Sequence, residues 1–207
     1  MKKILLIGAL LFASIIYAQI TPVLVNQNLS NSEFYPQTIG FYDGDIYFPD
    51  LMNGKIIKTS TLTTNAPVED VLTNLGFPFS LKIIGDELYF LQAVTTPNLT
   101  NNSGKLSKID LTQANPTVVD VISGLNVPTI LDGNANELYF TELIGNFTPD
   151  GDLDIQSTSI SKIDLNGTAS KTIILQNRNF IADLKLNGNN LYWNEEFDDS
   201  SDKLHKY

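Results

Sequence analysis

The chain has 207 residues, enough for one packed domain, with 13 basic against 23 acidic residues and a formal net charge of −10. So acidic a surface repels phosphate backbones and anionic lipid, which argues against a nucleic-acid partner. There is no cysteine and a single histidine, His205, which excludes thiol catalysis, thiolate metal sites, a cysteine-linked lipoprotein anchor and any histidine-pair mechanism.

The first element reads as a secretory signal peptide over residues 1–18. Lys2 and Lys3 precede an apolar run from Ile4 to Tyr17, and Ala18 offers a small residue for cleavage before Gln19. The run is shorter than the roughly 20 residues that a spanning helix needs. The expectation is an exported protein, secreted or at the cell surface, with no stable membrane insertion after cleavage and its domain at 19–207. The segment resembles signal peptides of the Bacteroidota, in which a cut before Gln is common.

A branched segment, Val23 to Leu29, comes next, and then an internal repeat. The triplets Ile46-Tyr47-Phe48, Leu88-Tyr89-Phe90, Leu138-Tyr139-Phe140 and Leu191-Tyr192-Trp193 recur about every 50 residues, each with strong strand composition. Before each lies a tight-turn signal: Asp43-Gly44, Gly85-Asp86, Gly133-Asn134 and Asn187-Gly188. These residue types tolerate the positive φ that two-residue hairpins require. Another short apolar segment precedes each turn, so each repeat contains a β-hairpin with the triplet as its second strand.

A third strand follows in each repeat, at Lys55–Lys58, Lys105–Leu111, Ser159–Leu165 and Lys203–Tyr207. In the middle copies polar and apolar residues alternate, which predicts one solvated face. A fourth, β-branched element occupies Val68–Leu75, Val118–Leu125 and Thr172–Gln176, with Val23–Leu29 as its remaining copy. Short helices opened by Pro67 and Pro116 compete for the first two, but β-branched residues dominate there and no capping box follows.

Four strands per repeat of about 50 residues is the propeller pattern, because one such sheet cannot cover its own apolar faces and must stack on its neighbours. The predicted fold is all-β: a β-propeller of four blade-like repeats at approximately 37–75, 79–125, 129–177 and 181–207, plus the N-terminal strand 23–29. Leu138-Tyr139-Phe140-Thr141-Glu142 and Leu191-Tyr192-Trp193-Asn194-Glu195 resemble the Leu-Tyr-Trp-Thr-Asp strand of YWTD-type and related six-bladed propellers. In both copies Glu stands in place of Asp, so the resemblance carries over the architecture and no binding residue. It implies six blades. The reading therefore favours a partial six-bladed propeller over a four-blade ring closed by strand 23–29.

Variation concentrates between the second and third strands, so function is expected on that rim. The longest of these connections holds Asp150-Gly151-Asp152-Leu153-Asp154, whose alternating carboxylates Asp150, Asp152 and Asp154 could converge on Ca²⁺. The EF-hand pattern breaks at Ile155, so a solvated acidic loop is the competing reading. No other cofactor is implied. No phosphate loop, serine elbow or histidine pair is present, and no catalytic residue is assigned. The expected function is a secreted, non-catalytic binding or scaffold module for an extracellular protein or glycan. The alternative is a propeller-type hydrolase or lyase with a metal in its axial channel.

Overall fold

A computed structural model describes residues 38–93, 102–147, 153–197 and 202–207. The described residues form fifteen antiparallel strands and no helix. The first sheet comprises β1 (Gly40–Tyr42), β2 (Asp45–Asp50), β3 (Lys55–Ser60) and β4 (Glu69–Leu72). The second comprises β5 (Phe77–Ile84), β6 (Glu87–Ala93), β7 (Gly104–Asp110) and β8 (Val119–Leu125). The third comprises β9 (Val127–Gly133), β10 (Glu137–Phe147), β11 (Leu153–Asp164) and β12 (Lys171–Arg178). The fourth holds β13 (Ile181–Asn187), β14 (Asn190–Glu196) and β15 (Asp202–Lys206).

Strands are ordered in space as in sequence, so every sheet is a meander. The described residues form a four-bladed β-propeller, with the innermost strands β1, β5, β9 and β13 nearest the axis. Three blades have four strands and the last has three among the described residues. The candidate fourth strand at Val23–Leu29 lies outside the described residues, as does the signal segment.

The predicted turns close the central hairpins. Gly44, Gly85 and Gly188 all have positive φ, and Asp43 shares it at φ 46. In the third blade Asn134 does this work by a different route, its Oδ1 accepting the backbone N–H groups of Asn136 and Glu137. Gly40 answers a packing need: a Cβ there would sit 2.7 Å from Cδ1 of Ile83 on the next blade.

Each core layer lies between two blades. Tyr47, Ile56 and Leu72 of the first blade meet Leu81, Leu88, Phe90 and Ile109 of the second. Tyr89, Leu91, Leu106 and Leu125 of the second meet Leu131, Leu138, Phe140 and Ile163 of the third. Tyr139 and Ile160 of the third meet Ile181, Leu184, Leu191 and Trp193 of the fourth. Every blade thus has a forward face and a back face, and burial of the triplets follows from stacking one on the other.

Three sequence expectations need correction. The alternation in β7 and β11 does not mark a solvated face, because Ser107, Ser159 and Ser161 are buried along with Leu106, Ile109, Ile160 and Ile163. Neighbouring blades cover both faces, and the small hydroxyls fit because they are bonded: Ser107 Oγ donates to Asp120 at 2.9 Å and Ser161 Oγ to Glu142 at 3.1 Å. The fourth element of the first repeat is a strand only over Glu69–Leu72. Asn74 turns to φ 59 and ends it, and Gly124 and Asn177 take positive φ near the same point in the next two blades. The long connection between the triplet and third strand of the third repeat is mostly strand, since β10 runs to Phe147 and β11 starts at Leu153.

Candidate functional site

Among the described residues the inner edge of each innermost strand has no neighbouring strand, so its N–H groups need other partners. Side chains of the preceding blade supply them. Thr38 Oγ1 accepts Leu81 N–H at 2.8 Å, and Ser80 Oγ accepts Leu131 N–H at 3.1 Å. The next junction is shifted along the strand. Ile130 occupies the register position of Ser80 and has no acceptor, and Asp132 accepts Leu186 N–H instead at 2.8 Å. Asp132 also holds Lys82 of the second blade at 2.6 Å. Burial alone would raise the Asp132 pKa, but Lys82 and the Leu186 N–H outweigh it and hold the carboxyl below its ordinary range.

Between these strands lies a cavity of about 570 Å³ that touches all four blades. Its polar lining includes Thr38, Ser80, Thr129, Asp183 and Lys185, and Phe79 and Phe180 contribute aromatic surface. Asp183 Oδ1 accepts Leu184 N–H of its own strand at 2.9 Å. Thr129 and Thr141 share a hydroxyl hydrogen bond at 2.8 Å. Lys185 makes no ion pair among the described residues. The size suits a small ligand or a projecting side chain. The lining offers hydroxyls, one carboxylate and one ammonium.

Phe180 is shared with a second pocket of about 290 Å³ on the rim, lined by Gln156, Ser157, Asn179, Glu196 and Phe197 as well. This pocket opens beside the longest hairpin, where the sequence placed functional variation.

Of the three sequence-predicted calcium residues, only Asp154 falls among the described residues. Asp154 lies within β11 opposite Asn146, with an exposed side chain. Asp150 and Asp152 lie outside the described residues. Among the described residues no group of three His, Asp or Glu side chains is placed to hold a metal. His205 is on β15, stacked on Trp193 with ring centroids 5.1 Å apart, and does not line the axial cavity.

One repeated feature escapes the sequence reading. Three residues after each triplet tyrosine stands Asp50, Gln92, Glu142 or Glu195, and all four are buried. At that position the first repeat has an Asp, as the YWTD strand pattern does. Gln92 Oε1 accepts Gly76 N–H at 3.2 Å, Glu142 Oε1 accepts Asn126 N–H at 3.0 Å, and Glu195 Oε1 accepts Asn179 N–H at 2.9 Å. Each acceptor ties the segment arriving from the preceding blade to the second strand of its own blade. Asp50 instead accepts from Asn53 N–H at 3.2 Å and from its side-chain amide. Lys171 at 3.1 Å neutralises Glu142, and Arg178 at 2.7 Å neutralises Glu195. Burial pushes the Glu195 pKa up, but Arg178 and the Asn179 N–H overcome it and lower the value. These carboxylates serve structure. A polar residue at constant offset inside an apolar strand was the signal that could have found them.

A second repeated group lies at the other end of the triplet. Glu137 accepts Tyr139 Oη–H at 2.6 Å and Lys162 Nζ at 2.5 Å, and Glu87 accepts Tyr89 and Lys108 in the same way. Burial first, and then Glu137, push the Tyr139 hydroxyl up to about 12.

Comparison with known proteins returns fold and nothing finer. No family model matches the sequence, and no curated protein matches it. A chain from a nidogen/laminin complex is similar over 76% of this chain and 55% of its own, at 17% identity and TM-score 0.52. A luciferin-regenerating enzyme is similar over 89% of this chain and 64% of its own, at 7% identity and TM-score 0.60. The computationally designed Ika4 protein is similar over 90% of this chain and 98% of its own, at 12% identity and TM-score 0.50. The chain thus spans about half the length of the nidogen/laminin chain and under two thirds of the enzyme.

Proposed function

We propose that this protein is a secreted, non-catalytic binding or scaffold module that recognises an extracellular protein or glycan through the axial cavity and the adjoining rim. The observation that carries this reading is how the polar side chains are used. The buried acidic groups Asp132, Glu142 and Glu195 are consumed in bonds to backbone N–H groups, while Lys185 and the exposed ring of Phe180 remain available at the cavity. The nidogen/laminin structure, a binding complex by its name, supports the class with its shared fold. Export rests on residues 1–18.

The test is a binding screen of the purified chain against immobilised glycans and extracellular proteins, repeated with Lys185→Ala and Phe180→Ala. Loss of a captured ligand on both substitutions, with an unchanged circular dichroism spectrum, is the expected result. Turnover of a lactone, sugar or peptide substrate, lost on substitution at Asp183, would overturn the reading.

That outcome would favour the second reading, a propeller-type hydrolase or lyase with a metal at the axis. The luciferin-regenerating enzyme, an enzyme by its name, shares the fold. Asp183 supplies one carboxylate at the cavity, and such a site needs several more inward ligands. A structural calcium loop at Asp150, Asp152 and Asp154 is a separate proposal. Calorimetry with Ca²⁺ tests it: heat that disappears in Asp152→Ala supports it, and no heat at millimolar ion counts against it.

A further inference from the structure

The two ends of the blade array are unlike its interior. Register makes positions comparable: Phe48 pairs with Ile57, Phe90 with Ser107, Phe140 with Ser161 and Trp193 with His205. The preceding residues Ile56, Leu106, Ile160 and Leu204 are therefore equivalent. The first three are 0% exposed on the forward faces of their blades, whereas Leu204 is 77% exposed.

The back face of the first blade shows the converse. By its pairing with Tyr47, Gly40 matches Lys82, so Ile39 matches the buried Leu81, Leu131 and Leu184. Phe41 matches Ile83 and Leu186, which pack on the blade before them. Yet Ile39 is 54% exposed and Phe41 is 63% exposed.

Polar ties are open at the same ends. Lys58, Lys108 and Lys162 each hold a carboxylate of their own blade. In the fourth blade Asn190 stands where that carboxylate would be, and Lys206 makes no ion pair among the described residues. Asp43, at the first turn, makes none either. Asp183, at the register position of the inter-blade acceptors Thr38 and Ser80, closes on its own strand.

We infer that these faces are an association surface between copies of this chain, the forward face of the fourth blade in one copy seating on the back face of the first blade in another. The chain already makes this contact three times internally, each time with a tyrosine and a branched aliphatic residue on the forward face and a leucine on the back face. Leu204 and Tyr192 offer what Ile56 and Tyr47 offer the second blade. Ile39 and Phe41 offer what Leu81 and Ile83 receive it with. Lys206, over the Tyr192 ring, and Asp43, neither in an ion pair among the described residues, add opposite charges. Such a contact is heterologous, so it closes into a ring of copies or runs on.

Light scattering behind size exclusion on the whole chain at micromolar concentration tests this. The expected mass is at least that of two copies, falling to one copy in Leu204→Asp and in Phe41→Asp. Both residues are exposed, and a native circular dichroism spectrum checks each variant. An equimolar mixture of the two variants should regain a two-copy species, because one intact junction survives between them. A one-copy mass for the unsubstituted chain at every concentration would overturn the proposal. So would association that survives both substitutions, or a mixture that stays at one copy.

Discussion

The third and fourth blades carry nearly the same strand, Leu138-Tyr139-Phe140-Thr141-Glu142 against Leu191-Tyr192-Trp193-Asn194-Glu195, in different surroundings. The third has a blade on each side. Phe140 and Ile160 are fully buried in it, and Thr141 and Glu142 are buried and bonded. Among the described residues the fourth has a partner only on its back face. Leu184, Leu191 and Trp193 are buried against the third blade, while Leu204 is exposed on the other side. A strand motif therefore does not own its burial; the next blade confers it. Stability in such an array is a sum of junctions, and it falls off at uncovered ends.

The largest expected effect comes from removing a ring between two covered faces. Phe140→Ala should cost about 3–5 kcal/mol in urea unfolding, because the site is held on both sides and cannot collapse. A loss near 1 kcal/mol would mean that the junction between the second and third blades is looser than its burial indicates.

Next is the buried acceptor. Glu142→Ala leaves Asn126 N–H, Ser161 Oγ and Lys171 without their partner and should cost about 2–3 kcal/mol, with Lys171 partly recovered by water. Gln92→Ala, which strands the Gly76 N–H, should cost about 1–2 kcal/mol. Equal losses at the two sites would remove the distinction between a charged and a neutral tie.

Acid should act on the same ties. Lys162 and then Tyr139 lower the Glu137 pKa, and Lys108 and then Tyr89 lower that of Glu87. Those of Asp132 and Glu195 are lowered against burial. A carboxyl lowered in the folded state contributes stability above its unfolded pKa of about 4, and loses it as pH falls through the folded value. The melting temperature should thus drop below about pH 4, and Asp132→Asn should flatten part of that fall while keeping an acceptor for Leu186 N–H. A profile unchanged by that substitution would show that Lys82 is not a working partner.

A smaller effect is expected at the axis. Ser80→Ala should cost about 1 kcal/mol by leaving Leu131 N–H without its acceptor. Leu204→Ala is the smallest: within about 0.5 kcal/mol in the dilute, unassociated chain, against several for its buried equivalents. A cost at Leu204 like that at Ile160 would show the fourth blade covered in solution and erase the contrast with the third.

Much of the fold is legible in the sequence because it rests on short-range rules. The apolar–Tyr–aromatic triplets report strands that need cover, and Gly44, Gly85 and Gly188 sit where hairpins require positive φ. Repetition at a constant interval then makes stacking the natural way to bury those strands. The axial cavity is not legible, because Thr38, Ser80, Thr129 and Lys185 are scattered along the chain and converge only when four innermost strands surround one axis.

The sequence by itself determined that there are four β-rich repeats, each with a central hairpin, since periodicity and turn chemistry are properties of neighbours along the chain. Only the tertiary structure decided which faces are covered. The serines of β7 and β11 are hidden and Leu204 is bare because burial depends on the blade alongside, and no local pattern records that neighbour. It also gave the repeated polar side chains their role: at Gln92, Glu142 and Glu195, a polar group buried between blades persists by bonding a backbone N–H that the sheet cannot reach.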